Sequence, residues 1–268
     1  MPDPLYIRAR SALLDAVDAL RPHLDGIVLV GAQAIYLHTG DADLSIAAYT
    51  TDADFALSPG DLAITPLLAD ALLDHGFTPR EQPGRWLSRG GSYVDIMVPE
   101  AFAGLGRRGA RLGAHGARTA RRARGLEAAL VDRDRRTIGA FDPGDSRTAH
   151  IWVAGPAALL VAKVHKIAER TGAQDRVRDK DALDVLRLLR AVSTEELAAR
   201  IGSLLRSDIA AEVTRAAVGQ LRPLFGGDRT EGVVLAVRSG GGAEDAATIA
   251  GSFVALVSDL IDGLEGWS

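Results

Sequence analysis

The chain has 268 residues, 47% of them apolar and 25% charged, with a formal net charge of −4. That length supports one large domain or two modest ones around a substantial core, and the composition argues against disorder. The absence of cysteine excludes disulfides, thiolate catalysis and Cys-ligated zinc, while the modest charge neither recruits nor forbids any partner.

In chain order, MPDPLYIRARSALLDAV opens a capped amphipathic helix over residues 4–22 rather than a signal peptide. Residues 26–31 (GIVLVG) read as a short buried strand ending in glycine, and AQAIYLHTG resumes a helical pattern. An acidic strand is expected within 44–57 and a helix over 61–75, ending before Gly76. Two strands follow near 85–88 and 93–98, separated by an RGG turn. Residues 103–125 hold seven Arg and no acid among Gly and Ala, the composition of a loop with a partly helical end. After a strand at 150–155, helices are expected over 156–170, 179–192, 194–205, 208–222 and 244–264, with GGDRTEG and RSGGGAED as loops. No internal repeat is visible. The expected architecture is α+β: a small mixed sheet with helices over 1–150, then a helical bundle over 151–268. No apolar run is expected to approach the roughly 20 residues that span a bilayer, so a cytoplasmic protein with no membrane partner is anticipated.

The chemistry starts at TTDADFALSP. Asp52 and Asp54 share one strand face because side chains alternate with a period of two. Like charges side by side on a sheet repel, and acids are poor strand formers. Asp95, in YVDIMV, adds a third carboxylate on a later strand. Three carboxylates from adjacent strands can hold one or two Mg²⁺ ions, or Mn²⁺ in their place, which favour hard oxygen ligands and substrate phosphates. The strand–glycine–helix junction at Gly31 offers backbone N–H groups for a phosphate, with Gln33 as a side-chain donor. The bland reading of each piece is a solvated strand end, an ordinary turn and an edge residue; the ordered set is more specific than its parts.

In the helical half, all three lysines, Lys163, Lys166 and Lys180, fall within eighteen residues of a chain that otherwise uses Arg, 28 times. Lys163, Lys166 and Arg170 recur at i, i+3 and i+7 on one helix side. They form either a solvated basic face or a counter-charge for a triphosphate, with Lys163 the direct contact. Asp181 and Asp184 share a helix face; they serve the helix dipole or orient a lysine or acceptor. The arginine run near 107–124 is either a solvated loop or a grip on a polyanion through phosphate contacts. It has no interleaved aromatics, so base stacking is not indicated there. His165 is expected to pack within its helix.

LVGAQAIYLHTG, TTDADFAL and SYVDIMVP, in that order, resemble the nucleotidyltransferases of the DNA polymerase β type. With LLVAKVHKIAER and the basic residue followed by DALD, the chain is more narrowly similar to the AbiEii/MenT group, nucleotidyltransferase toxins of type IV-like toxin–antitoxin systems. The resemblance covers about residues 26–190. It departs at Gly31-Ala32-Gln33, where the wider superfamily has Gly-Gly or Gly-Ser, and in the 21-residue spacing from Gly31 to Asp52. It implies a polymerase β-like core and transfer of an NMP from an NTP to an acceptor, such as a tRNA 3′ end or other RNA. Asp52, Asp54 and Asp95 would then bind metal, Asp95 alternatively acting as base, with Lys163 and Asp184 catalytic. Gly31, Gln33, Lys166, Arg170 and Asp181 would bind the nucleotide, and a cognate antitoxin would be a partner. A small-molecule or protein acceptor, or a non-catalytic nucleotide- or RNA-binding protein on the same fold, remain the alternatives.

Overall fold

The computed structural model describes residues 3–40, 50–169, 176–240 and 242–265. The chain is α+β and divides into two compact units: Met1–Ala34 with Ala48–Ala154, and Ile35–Ala47 with Gly155–Ser268.

The first unit begins with α1 (Pro4–Ala19). Asp3 caps it, its carboxylate accepting the Leu5 N–H at 2.7 Å, and Pro4 supplies a preset first residue. β1 (Ile27–Val30) is buried along its whole length and runs directly into α2 (Gly31–Thr39), whose C-terminal part belongs to the second unit. β2 (Asp52–Leu57), α3 (Leu68–Asp74), β3 (Thr78–Pro79), β4 (Arg85–Leu87), β5 (Tyr93–Pro99), β6 (Arg121–Ala123), β7 (Arg133–Gly139) and β8 (Thr148–Ala154) complete it. The strands form one mixed sheet in the order β3-β4-β5-β2-β1-β8-β7, with β6 also paired to β5. β1 lies between antiparallel β2 and parallel β8, which explains why IVLV shows no polar alternation. The β2–β5 pairing is parallel and the β4–β5 pairing antiparallel. α1 packs on this sheet through β2, β5 and β8.

Two elements differ from expectation for physical reasons. The helix anticipated over 61–75 forms only from Leu68, because Pro66 disfavours helical geometry in the residue before it. β7 was not anticipated, since RDRRTIG lacks apolar alternation. It lies at the sheet edge, where charged side chains guard unpaired backbone groups. Its partner β8 begins at Thr148, earlier than expected, and Arg133 and Arg135 both stack on Trp152. Of the expected acidic strand, residues 44–49 lie outside the described residues.

The second unit contains α4 (Pro156–Ala168), α5 (Arg176–Ala191), α6 (Thr194–Leu205), α7 (Ala211–Phe225), α8 (Glu231–Gly240) and α9 (Ala246–Glu265). Ser193 caps α6, accepting the Glu196 N–H at 3.2 Å. α8 was not anticipated, because glycine-rich segments on both sides masked a VVLAV core that packs on α5. α9 is the element that comes nearest to a long apolar run, although Asp259 and Asp262 interrupt it. An 18-residue stretch within its 20 residues has a mean hydropathy of 1.5, long and apolar enough to cross a membrane by length and composition alone, and 33% of that stretch is buried inside the protein. Ile249, Phe253, Val257, Leu260 and Leu264 are buried at helical spacing, and α9 packs on α6, α7 and α8. Phe253 stacks on Phe225 with ring centroids 4.9 Å apart.

Candidate active site

The strand register in the first unit sets the three carboxylates side by side. Asp54 pairs with Val30 on β1 and with Asp95 on β5, and Asp95 pairs in turn with Arg85 on β4. One row across four strands therefore reads Val30, Asp54, Asp95, Arg85. The neighbouring row holds Asp52, Tyr93 and Leu87. Directly opposed residues project to the same face, and so do positions i and i+2 of a strand. Asp52, Asp54 and Asp95 thus share one sheet face; the first two are half-exposed and Asp95 is nearly buried.

Three side chains with like charge need compensation, and two sources are visible. Asp54 lies at the N-terminal end of α2, where the helix dipole is positive. Gly31 makes that approach possible. Its φ is +72°, a conformation that favours glycine, and a Cβ there would overlap Asp54 Oδ2. Asp95 is flanked by two arginines, with Arg121 Nη2 at 3.7 Å and Arg85 Nε at 4.0 Å. The guanidinium of Arg85 also lies 4.0 Å from the centroid of the Tyr93 ring.

Asp52 is held by its neighbours. Thr50 Oγ1 donates to its Oδ1 at 2.8 Å, and Gln33 Nε2 donates to its backbone carbonyl at 3.0 Å. Gln33 differs here from the expected phosphate donor. Its amide is buried, donating also to the Ala9 carbonyl at 3.2 Å and accepting from Arg10 Nε at 2.9 Å. The side chain is committed on both ends, so it braces the start of β2 instead of facing a ligand.

An all-oxygen carboxylate set on one face is the donor chemistry that suits a hard divalent cation. Among the described residues no group of three His, Asp or Glu stands close enough to enclose a metal ion as placed. The fit therefore rests on Asp52 and Asp54, with Asp95 alongside and drawn toward its arginines.

The second unit contains a charged cluster of its own residues. Lys163 Nζ donates to Asp181 Oδ1 at 2.5 Å and to Asp184 Oδ2 at 2.7 Å, and Lys166 Nζ reaches Asp181 at 2.9 Å. Burial alone would push the Lys163 ammonium down. Asp181 and then Asp184 outweigh that and hold it above its ordinary value. Burial likewise pushes the Asp181 carboxyl up, but Lys163 and Lys166 hold it down to about 2. Lys163 was expected to offer its charge to a phosphate. Its side chain is only 8% exposed and two carboxylates occupy its ammonium, which leaves Lys166, 39% exposed, as the accessible member. Asp181 and Asp184 do orient a lysine. Arg170 lies outside the described residues. His165 is buried, with its Nε2 2.8 Å from the Val213 carbonyl.

Arg85, Arg121 and Thr50 were not anticipated at the site. Arg85 was detectable: residues 85 and 95 are equidistant from the RGG turn, so an antiparallel hairpin must oppose them. Arg121 could not be picked out of the arginine run by sequence alone. Compared with protein-family models, curated proteins and solved structures, the chain finds no match.

Proposed function

We propose that the first unit carries a nucleotidyl-transfer centre on a polymerase β-like core, and that the protein moves an NMP from an NTP to a hydroxyl acceptor. The observation that carries this reading is the register that sets Asp54 opposite Asp95, with Asp52 on the same face and the Asp54 carboxylate packed on Gly31. A strand–glycine–helix junction beside paired carboxylates brings an anion-binding helix N-terminus next to a cation-binding face, the combination a metal–triphosphate requires.

Asp52 and Asp54 would hold the divalent cation, which supplies charge neutralisation on the triphosphate. Thr50 and Gln33 keep Asp52 in place from its side-chain and backbone sides. Gly31 and the first turn of α2 present backbone N–H groups to a phosphate. Asp95 accepts the proton of the acceptor hydroxyl as its oxygen bonds to the α-phosphorus. The bond from that phosphorus to the bridging oxygen breaks, and pyrophosphate leaves. The resemblance to the AbiEii/MenT group adds a tRNA 3′ end as acceptor and a toxin role countered by an antitoxin.

A second reading, a non-catalytic nucleotide- or RNA-binding protein, draws on the arginine pair at Asp95 and on the sequestered charge of Lys163. Pyrophosphate release from each of the four NTPs, with Mg²⁺ and total RNA, separates the two. The proposal expects release that falls at least about 100-fold in Asp52→Asn. Release equal in wild type and variant overturns it, and binding of NTP without turnover favours the second reading.

A further inference from the structure

The arginine run does not form an isolated loop. Residues 104–118 fold back on the segment 120–122, which includes β6, and on the β3–β4 turn. The Ala110 N–H donates to the Ala120 carbonyl at 3.0 Å, and the Arg122 N–H to the Arg108 carbonyl at 3.0 Å. Arg122 also clamps the loop from its side chain, donating to the Gly104 and Gly106 carbonyls. Arg118 ties it to the turn through the Glu81 carbonyl at 2.6 Å. These bonds give a built scaffold with a groove alongside it.

The groove consists of adjoining depressions. One of about 680 Å³ is lined by Arg107, Arg108, Arg121 and Arg122 with Glu81, Gln82 and Pro83. A second of about 470 Å³ runs over Arg85 and Tyr93. Glu81 is the single acid lining them. Arg107 and Arg108 are exposed and, among the described residues, have no carboxylate within ion-pair distance. Arg85 and Arg121 face Asp95 and Arg122 faces Glu100, so among the described residues the unpaired charge of the row sits on Arg107 and Arg108; such guanidiniums favour anionic chains, because each planar fork matches a phosphate. The groove's far end supplies what the run itself lacks, an aromatic. The Arg85 guanidinium sits 4.0 Å from the centroid of the Tyr93 ring, and a cation placed over an aromatic ring makes a surface of the kind that receives a nucleobase. The same Arg85, with Arg121, borders Asp95.

We propose that this groove binds a single nucleic-acid strand, with backbone phosphates on Arg107 and Arg108 and a base against the Arg85–Tyr93 stack. That the bound strand is the acceptor, its end directed to Asp95, rests on the nucleotidyl-transfer reading; the binding itself does not. A strand fits better than an acidic peptide, since a peptide carboxylate has no use for the stack.

The test is fluorescence anisotropy of the full chain with labelled 12-nucleotide RNA and DNA strands, without NTP or Mg²⁺, across 50–200 mM salt. Wild type is expected to bind with an affinity that falls as salt rises. Arg107→Gln/Arg108→Gln is expected to raise Kd at least tenfold and to flatten the log–log salt slope by about 1.4, about 0.7 per lost phosphate contact. Both positions are exposed, and an unchanged melting temperature verifies the fold. Tyr93→Ala is expected to weaken binding while leaving the salt slope unchanged. RNA bound more tightly than DNA identifies RNA as the strand, and the reverse identifies DNA. No binding of either strand by wild type, or an unchanged Kd and slope in the double variant, overturns the proposal. So does binding of a polyglutamate peptide as tight as that of the strands. Strand binding without pyrophosphate release leaves the groove assignment standing and removes the catalytic one; release to a small acceptor without strand binding does the opposite.

Discussion

The buried lysine of the second unit shows how much one side chain can carry. Lys163 lies between Asp181 and Asp184 with almost no solvent contact, so removing its ammonium would strand two carboxylates in a low-dielectric interior. Lys163→Met is expected to destabilise the protein by about 3–5 kcal/mol in urea unfolding; a loss under about 1 kcal/mol would contradict the ion-pair account. The pH dependence follows from the shifts. Asp181 is depressed, so its contribution is present above the ordinary carboxylate value of about 3.9 and is lost as pH falls toward about 2. Lys163 is raised, so its contribution is complete below about 10.4 and is lost only at higher pH. The cluster therefore leaves stability flat between roughly pH 5 and 10. The residue types and their helical spacing were legible in the sequence, and a lysine partner for Asp184 was one of the readings that spacing left open. Which side of that helix faces the interior was not legible, because a basic face reads the same when it is solvated as when its carboxylate partners on the next helix bury it.

At the scale of elements, the strands that present the candidate site depend on turns and short helices with their own electrostatics. His23, in the 3₁₀ turn Arg21–Gly26, is fully buried, and the His115 ring meets it edge-on at 5.4 Å between centroids. His115 is fixed by the Leu68 N–H at its Nδ1, 3.2 Å, and by the Ala63 carbonyl at Nε2, 3.0 Å. Burial, and secondarily His115, pushes the His23 pKa below its ordinary value. A depressed histidine contributes stability above about pH 6.5 that is lost as pH falls. Thermal melts at pH 7.5 and 5 should thus show a larger drop for wild type than for His23→Leu, and equal drops would remove His23 as the cause. Elements with strong periodicity or caps, such as α1, β5 and α6, could be read from the sequence. β7 could not, since an edge strand is selected for charge rather than alternation. α8 was hidden by its flanking glycines. The carboxylate row was half legible: alternation put Asp52 and Asp54 on one face, but only register sets Asp95 opposite Asp54 instead of one step away.

Across the whole molecule, the two basic residue types divide their work. Of the 28 arginines, those of the first unit supply planar donors to the sheet edge, to Asp95 and to the groove beside it, where forks and stacking count, while Arg187 and Arg190 face Asp184 and Glu244 in the second. The three lysines fall only in the α4–α5 region, where Lys163 uses a compact charge with several donors to satisfy two carboxylates at once. The sequence marks that segregation, although the expected role, a triphosphate contact, differs from the buried pairing found. The central claim concerns the sheet face instead, and it is tested most directly by transfer of label from [α-³²P]NTPs to total RNA, with wild type compared with Asp54→Asn and Mg²⁺ present or chelated. The account predicts labelled product that requires Mg²⁺ and disappears in Asp54→Asn while the melting temperature stays within a few degrees of wild type. No labelled product from wild type with any NTP, or equal labelling by Asp54→Asn, would contradict it.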